Sequence, residues 1–592
     1  MILETIDWII IASFLILSLY IGLKFKNKAS SSLANFFLGG RNLPWYIAGM
    51  SMVATTFAAD TPLAVTELVA KNGISSNWIW WNFLIGGMLT TFFFANLWRR
   101  ANVLTELELI ELRYSGKPAA ILRGFKSVYL GLFMNVLIIG WVNLAMVSII
   151  QVFFDVDPSI AFWYTIGVMI IAMIYSSLSG LLGVAITDTI QFVIAMIGCI
   201  ILAVIVVNSD KIGGIEALKT KLPEGTLNFL PQIGGKEGAS LSTLTISIGA
   251  FFSFAAIQWW ASWYPGAEPG GGGYIAQRMM STKNEKDAVF ATLFFQIAHY
   301  CLRPWPWIIV GLCSLVLYPE LTDKKLGFVM AMKDFLPVGL KGLLFVAFLA
   351  AYMSTISTQL NWGASYLVND LYKRFIKKSA NKESTEQEEK HYVKVSKLST
   401  ILIMITGAFV TTQINSISAV WEFIMECGAG LGLVLILRWY WWRINAWSEI
   451  AATISPFIGY IIGHYFLIDL LGNSFTENRG PFMFTVLFTT VAWLLTTFLT
   501  KPSEHTTLLS FYNLVKPDGN WKPFKSGKTD NSNLFKLLVC WISSITLTYS
   551  LLFFTGKLIL LEYTQSIMFL ISAVISFFIL RYFLIRTNIF NN

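Results

Sequence analysis

Long apolar runs separated by short polar segments dominate this chain. Windows of about 20 apolar residues, the length that a helix needs to cross a membrane, recur about 15 times. The pattern therefore predicts an all-α polytopic membrane protein with about 15 transmembrane helices. The predicted spans lie near residues 6–25, 43–66, 77–98, 127–153, 158–178, 184–207, 244–264, 289–317, 339–370, 396–414, 418–438, 447–470, 481–499, 535–555 and 558–583.

Lysine and arginine are concentrated in every second connection between these spans. Cytoplasmic loops of membrane proteins carry such an excess of basic residues. We therefore expect the N-terminus outside, the C-terminus inside and the segment 208–243 outside, in the plasma (inner) membrane. The basic segments are 24–41, 99–126, 278–286 and 373–397, with Arg438 and Arg443 on the same side.

Composition supports a membrane protein and argues against a soluble one. Of the 592 residues, 55% are hydrophobic and only 13% are charged, whereas soluble proteins carry about 25% charged residues. The net charge of +9 therefore reflects basic loops beside a lipid bilayer, and no nucleic-acid partner is expected. All five cysteines lie in apolar spans, so no disulfide framework is expected either.

A cluster of hydroxyl side chains interrupts the apolar helix predicted over about 342–367. Ser354, Ser357 and Thr358 recur at helical spacing, so they share one face. At bilayer depth such a stripe must face protein, water or a ligand. Uncharged hydroxyl and carbonyl oxygens suit a small hard cation that must later leave. The stripe therefore predicts a sodium site.

The second span contains small residues followed by an acid and a proline at mid-membrane. Asp60 and Pro62 follow a run of alanine, threonine and phenylalanine, and proline removes a backbone donor and strains the preceding turn. The freed carbonyls would bind a cation, as in the discontinuous helices of secondary transporters. The alternative is a packing kink capped by Asp60. Asp188 in the sixth span is equally open, as an interfacial cap or a carboxylate near an ion path.

Four segments of the sequence stand out at 36–45, 187–191, 277–278 and 351–375. Together they resemble the sodium/solute symporter family, whose members carry sugars, sialic acid, proline and pantothenate. Each segment is modest alone, but their order and spacing are specific, and they cover residues 1 to about 440. The resemblance implies the inverted-repeat transporter fold with two five-helix repeats.

The resemblance also implies how the chain is divided. One extra helix precedes the two repeats, and about four extra helices follow them, with a polar cytoplasmic loop at 500–534. The expected divisions are 1–42 for the extra helix and its loop, 43–207 for the first repeat, 208–243 for the extracytoplasmic loop, 244–438 for the second repeat and 439–592 for the additional helices.

Carried over by position, the resemblance implies two sodium sites and no cofactor besides sodium as the coupling ion. Since this chain keeps the hydroxyls and the carboxylate of the second site, which only some members have, we expect two ions. Asp188 has the alternative role of stabilising the inner gate. The main site would use backbone carbonyls of Ala54, Phe57 and Ala351 and side-chain oxygens of Ser354 and Thr355. The second would use Asp188, Ser357 and Thr358.

The region expected to bind the solute departs from the sugar carriers. Gln296 stands where they have a lysine, and Asp60 and Thr61 replace small or polar residues. The aromatic residues of the seventh span would gate the site or stack on a sugar, or they would belong to an ordinary lipid belt. The residues predicted to contact solute or form a gate are Asp60, Thr61, Asn82, Gln258, Trp259, Trp260, Gln296, His299, Arg303 and Glu422.

Arg303 presents an open alternative. A membrane arginine is usually paired, and Asp60 is the obvious candidate partner, although the sequence does not place the two together. If they pair, the pair is structural or a gate. If Arg303 is free in the cavity, it indicates a solute that bears a carboxylate.

These patterns together predict a sodium-driven importer of a small polar organic solute that works by alternating access. A sugar, polyol or acidic sugar is the first expectation, and an amino acid or carboxylate is the alternative. One rival is a membrane enzyme with His299 as general base, but four histidines offer no paired site or nucleophile motif. The other rivals are a transporter-like sensor and a passive channel.

Overall fold

The computed structural model describes residues 3–234, 243–377, 385–414, 417–524 and 532–591. Within these residues, ten helices are long and apolar enough to cross a membrane, or up to eleven if a pair bent by 48° counts as one span. The chain is therefore a mostly helical, multi-pass membrane protein. A two-residue parallel pair of strands, β1 (Gln232–Ile233) and β2 (Thr245–Ile246), joins the parts of one long connection.

The main helices are numbered in chain order. The first ten are α1 (Thr5–Ala29), α2 (Trp45–Thr56), α3 (Asp60–Asn72), α4 (Ile74–Phe93), α5 (Ala95–Ala101), α6 (Gly116–Phe154), α7 (Pro158–Val207), α8 (Ile248–Ala261), α9 (Gly273–Ser281) and α10 (Glu285–Leu317). The others are α11 (Leu340–Ile376), α12 (Glu386–Thr411), α13 (Ile417–Cys427), α14 (Leu431–Tyr440), α15 (Ala446–Leu471), α16 (Gly480–Leu499), α17 (His505–Val515), α18 (Ser532–Ile559) and α19 (Tyr563–Leu584).

Broken spans account for much of the difference between about 15 predicted spans and ten long helices. The predicted span 43–66 consists of α2 and α3, which have 12 and 13 residues, so neither piece is long enough to cross a bilayer alone. The predicted span 418–438 is likewise divided into α13 and α14. The total of 15 spans and the bounds of the two repeats stay predictions.

Two predicted spans, 158–178 and 184–207, form the single helix α7, which bends sharply at Gly180. This glycine has φ of 55° and ψ of −167°, a conformation that is essentially restricted to glycine. A side chain there would also place its Cβ 2.8 Å from the carbonyl oxygen of Phe36. Gly180 therefore lets two spans follow each other without a connecting loop.

Helix α11, which carries the hydroxyl cluster, lies at the centre of the bundle. In its most apolar window 94% of the residues are buried, compared with 22% for α19. It packs against α1, α2, α6 and α7. A helix surrounded by protein on all sides can keep polar side chains at bilayer depth, because they meet other helices and not lipid.

The basic segments gather at one end of the bundle, which we call the basic end. There Arg113 donates to the carbonyl oxygen of Arg438, and Arg123 contacts Asp370 near the last turns of α11. At the opposite end, Asp7 accepts hydrogen bonds from the backbone N–H of Gly339 and Gly342, where α11 begins. The basic loops predicted to share one side of the membrane therefore do lie together.

Candidate functional site

The predicted interruption of the second span is confirmed. Helix α2 ends at Thr56, Phe57 has the non-helical φ and ψ of −94° and 76°, and α3 begins at Asp60. Pro62 is tolerated as the third residue of α3, because N–H groups in a first turn have no partner within the helix. The break leaves the carbonyl end of α2 facing the first turn of α3 inside the protein.

Helix α11 contacts the carbonyl end of α2 through Thr355. Its hydroxyl lies 3.0 Å from the carbonyl oxygen of Thr55 and 3.2 Å from that of Ala351. Ala54 and Phe57, whose carbonyls are predicted sodium ligands, flank this contact in α2 and the break. The structure therefore brings Thr355 and Ala351 of the hydroxyl helix against the carbonyl end of the broken helix, where the main site is predicted. The hydroxyl of Ser354 donates to Asp188 instead.

Asp188 lies at the centre of a buried polar network beside that contact. The hydroxyl of Ser51 donates to Oδ2 at 2.5 Å, and the hydroxyl of Ser354 donates to Oδ1 at 2.7 Å. The guanidinium of Arg278 lies 3.9 Å from Oδ2 and donates to the hydroxyl of Thr358 at 2.7 Å. Because Asp188 is fully buried and contacts three helices, the network disfavours an interfacial cap.

The other residues predicted for the second sodium site have different partners. The hydroxyl of Ser357 donates to the carbonyl oxygen of Ser354 at 3.0 Å, within its own helix. The hydroxyl of Thr358 lies 3.0 Å from that of Thr55. A positive charge, the guanidinium of Arg278, is thus already present among the predicted ligands of this site.

On the other side of the break, Thr56, His299 and Arg303 form a closed set of hydrogen bonds. The Thr56 hydroxyl donates to the carbonyl oxygen of Val53 at 2.9 Å and accepts from Nη1 of Arg303 at 3.1 Å. Because its one hydrogen is used in this way, the Thr56 hydroxyl accepts from Nδ1 of His299 at 3.0 Å. Nε2 of His299 accepts from Nη2 of Arg303 at 3.1 Å. These roles require a neutral imidazole with its proton on Nδ1.

Arg303 and Asp60 face the same interior region without forming an ion pair. They are 2% and 4% exposed and interact electrostatically, yet neither is in an ion pair within 4 Å among the described residues. Nε of Arg303 and Oδ1 of Asp60 are buried without a hydrogen-bond partner in the part of the chain described. The pairing that the sequence left open is therefore absent from this conformation.

The connection between α8 and α9 closes over the break from another side. Gly266, with φ of 85°, sits where a Cβ would lie 3.3 Å from Cγ2 of Thr56. The ring of Tyr264 stacks on that of Phe83 with centroids 5.8 Å apart and lies in electrostatic range of Asp60. Thr61, in the first turn of α3, is half-buried beside this region.

Other residues predicted to bind solute have structural partners instead. The amide of Asn82 donates to the carbonyl oxygens of Trp78 and Ile79, and Oε1 of Gln258 accepts from Arg479. Gln296 packs against α4. Their roles toward a solute stay predictions.

Trp259 and Trp260 of the seventh span pack against the additional C-terminal helices. Trp259 packs against Trp541 of α18 with ring centroids 5.9 Å apart, and Trp260 packs beside Phe482 of α16. Both indole N–H groups donate to carbonyls of their own helix. The side chain of Glu422 lies outside the described residues. A gating role for these three residues stays a prediction.

A separate small cavity lies nearer the basic end than the break does. Its lining includes Glu106, Lys126, Trp263 and Cys427. The candidate solute site is the break and not this cavity. Asp60 and Arg303, two charged groups with unused hydrogen-bonding capacity, lie at the break beside the predicted main sodium site.

Ser51, Thr56, Tyr264 and Arg278 belong to the site but were not among the predicted site residues. A usable signal existed for Ser51, since it lies four residues before Thr55 and therefore shares its helix face, as Ser354 and Thr358 share theirs. No such signal in the sequence identifies the contact of Arg278 with Asp188, which joins two distant helices.

Known proteins resemble this chain over most of its length. The chain is 23% identical over 538 residues to the sodium/glucose cotransporter of Vibrio parahaemolyticus, covering 85% of this chain and 92% of that protein. It is 24% identical to sodium/proline symporter 2 of Staphylococcus saprophyticus, covering 77% and 85%. The solved structure of a Na+-coupled sialic acid symporter superposes with a TM-score of 0.64 at 19% identity, covering 85% of this chain and 99% of that one, which shows a shared fold.

The family assignment rests on most of the sequence. A family model described as the sodium:solute symporter family matches residues 36–455, a range that runs from before the broken second span to the first half of α15. It includes the break, the Asp188 network and the hydroxyl helix. This chain belongs to the sodium:solute symporter family.

Proposed function

We propose that this protein is a sodium-coupled secondary active symporter that imports a small polar organic solute by alternating access. The observation that carries the proposal is the contact of the Thr355 hydroxyl with the carbonyl oxygens of Thr55 and Ala351. An ion bound by oxygens of both α2 and α11 would hold the broken helix against the central helix, and its loss would release that contact.

The chemistry of these oxygens fits a coupling ion that must bind and leave in every cycle. Ala54, Phe57, Ala351, Ser354 and Thr355 offer neutral oxygens only, so the site holds sodium weakly compared with a carboxylate cage. One positive charge moving inward gains about 2.3 kcal/mol per 100 mV of membrane potential. Sodium would stabilise the outward-open state, complete the solute site and leave on the side where its concentration is low.

The second sodium ion remains a proposal with a structural condition. A sodium ion held by Asp188, Ser357 and Thr358 would stand beside the guanidinium of Arg278, and two cations at one carboxylate repel each other. Binding there requires Arg278 to move away. The charge moved per solute molecule, measured from reversal potentials, distinguishes one sodium ion from two.

The solute class is not given by the family, since the relatives named above carry glucose, proline or sialic acid according to their names. A sugar, polyol or acidic sugar, or alternatively an amino acid or carboxylate, are all consistent with a sodium-coupled carrier. The enzyme alternative has lost its support. The family is one of transporters, and both ring nitrogens of His299 are engaged by Thr56 and Arg303, so neither is available as a base.

The orientation in the membrane follows the same reasoning. The basic end would be cytoplasmic by the positive-inside rule. Asp7 places the start of α1 at the opposite end, whereas Phe590, beyond α19, contacts Lys286 near the basic residues. These two contacts support an odd number of crossings, with the N-terminus outside and the C-terminus inside the plasma membrane.

Sodium-dependent current in proteoliposomes tests the proposal. The purified protein would be screened with sugars, polyols, sialic acid, carboxylates and amino acids, in sodium and in choline. We expect a saturable current that requires both sodium and one class of solute and that Ser354→Ala abolishes.

The matched control is Ser365→Ala in the same helix. Ser365 is also buried, but its hydroxyl donates to the carbonyl oxygen of Trp362 in its own helix, so its removal should leave the current intact. Equal loss in both variants would contradict the assigned sodium site. A sodium current that needs no solute would indicate a channel.

A further inference from the structure

We infer that the solute is a zwitterion whose carboxylate binds Arg303 and whose cationic nitrogen binds Asp60. The inference rests on the proposed function and deepens it by naming the substrate class. It is drawn from two opposite charges that are buried in one region, that both retain unused hydrogen-bonding capacity and that do not contact each other.

The guanidinium of Arg303 is positioned but not neutralised. Thr56 and His299 accept one hydrogen bond each, both as neutral groups, and the guanidinium lies over the ring of Trp307 with its central carbon 5.3 Å from the centroid. A guanidinium has five N–H donors and remains charged in proteins. Nε is buried with its hydrogen unused among the described residues, and a carboxylate is the group that a guanidinium fork binds best.

Asp60 provides the opposite end of the site. It stands in the first turn of α3, where the helix dipole favours a negative charge, and its Oδ1 is buried without a partner among the described residues. A buried carboxylate is strongly disfavoured unless a cation or hydrogen-bond donors reach it. A cationic nitrogen on the solute would meet this requirement.

The same two charges argue against the other solute classes. A neutral sugar or polyol would leave both charges without an opposite charge inside the protein. A carboxylate without a cationic group would satisfy Arg303 but would lie near the unpaired carboxylate of Asp60. A zwitterion alone compensates both.

Aromatic side chains flank the two charges. Trp80 packs edge-on against His299, with centroids 5.7 Å apart, and Tyr264 lies near Asp60. Aromatic faces attract cationic nitrogens, including quaternary ammonium groups. The site would therefore accept either an amino acid or a betaine.

Ligand-induced thermal stabilisation of the purified full-length protein tests the inference directly. The probes are the common L-amino acids, glycine betaine, glucose, mannitol and N-acetylneuraminic acid, each in sodium chloride and in choline chloride. For the best zwitterion, its amide and its deaminated acid complete a matched set. We expect stabilisation by the zwitterion in sodium only, and at least about tenfold weaker binding of each derivative, since each loses one charged hydrogen-bonding group.

The outcomes separate this inference from the proposed function. Stabilisation by glucose, mannitol or a deaminated acid as large as that by any zwitterion would overturn the zwitterion assignment. So would silence of every zwitterion while sodium alone stabilises the protein, and in both cases sodium coupling would stand. Failure of sodium to stabilise the protein, in any combination, would count against the proposed function itself.

Charge variants distinguish a solute site from a gate. We expect Asp60→Asn and Arg303→Gln each to weaken zwitterion binding by about tenfold to a hundredfold. Glu67→Gln, which changes a half-buried carboxylate of the same helix α3, should have no effect. If Asp60 and Arg303 instead meet as a gate when the protein closes, the exchange Asp60→Arg with Arg303→Asp would restore transport. Such a recovery would overturn the inference.

Discussion

The basic end and the break in the second span both bury charged residues, but they treat them in opposite ways. At the basic end, Arg123 contacts Asp370 at 2.7 Å and Lys126 pairs with Glu449, both buried, while the exposed Arg374 contacts Glu111 at 2.9 Å. At the break, Asp60 and Arg303 have no such ion pair within the described residues. Paired charges stabilise the fold, whereas buried charges without an ion pair are suited to binding a ligand that enters and leaves.

At the basic end, Glu111 shows how hydrogen bonds change the pKa of a single carboxyl group. Burial alone would raise the pKa of Glu111, but hydrogen bonds from Arg374 and Arg123 lower it below its usual value overall. Glu111 therefore stays ionised and holds the short helix Glu108–Arg113 against α6 and α11. Within the part of the chain that the structure describes, no comparable pair fixes Asp60, so we expect the two regions to respond differently to substitution.

The largest expected effect is the loss of one partner at the basic end. Arg123→Met would leave Asp370 buried without its cation, and breaking a buried pair from one side destabilises a protein by about 3–5 kcal/mol. We expect a clear fall in the midpoint of thermal unfolding in detergent. A midpoint equal to that of the unaltered protein would show that the ion pairs of this end do not support the fold.

A smaller effect is expected from the sodium oxygens. Thr355→Val keeps the shape of the side chain but removes the hydroxyl that contacts α2, a change of about 1.5–3 kcal/mol for a group that binds a charge. The sodium concentration for half-maximal current should therefore rise by about tenfold to a hundredfold. Thr355→Ser keeps the hydroxyl and should retain most of the affinity. Equal affinities in the two variants would exclude Thr355 as a ligand.

At the break itself we expect function to change more than stability. Asp60→Asn removes a charge that has no ion-pair partner among the described residues, so the free energy of unfolding should stay within about 1 kcal/mol of the original or rise. Solute-dependent current should be lost in the same preparation. A destabilisation as large as that of Arg123→Met would show instead that Asp60 belongs to the architecture, and the contrast between the two regions would disappear.

The smallest effect is expected for an exposed pair. Lys71 contacts Glu67 one turn away in α3, with side chains 58% and 34% exposed. Such pairs contribute about 0–1 kcal/mol, so Lys71→Met should leave both unfolding and transport unchanged. A measurable loss of stability would show that an exposed ion pair also supports the fold, so that burial would not decide what a pair contributes.

Local features of the sequence predicted the fold and part of the site. The break near Asp60 and Pro62 and the hydroxyl face of Ser354 and Thr358 follow from spacing within one helix, and the structure has both. The resemblance to the family placed the two elements side by side, and the contact of Thr355 with Thr55 agrees with that placement.

The remaining features depend on contacts between distant helices, which one sequence does not reveal. A membrane arginine such as Arg303 signals an unusual position, but its spacing does not tell whether Asp60 neutralises it. Gln258 is engaged by Arg479, which lies beyond residues 36–455 matched by the family. The additional C-terminal helices thus contribute partners that a family resemblance alone does not supply.

One peptide unit of the broken helix has a consequence for energetics. The carbonyl of Thr55 meets the hydroxyl of Thr355 on the ion side, and the next residue, Thr56, meets Arg303 and His299 on the solute side. If sodium shifts this segment, it changes the affinity for solute by some factor, and thermodynamic reciprocity then requires solute to change the affinity for sodium by the same factor. The dissociation constant of each ligand, measured with and without the other, would give the coupling free energy that this helical turn transmits.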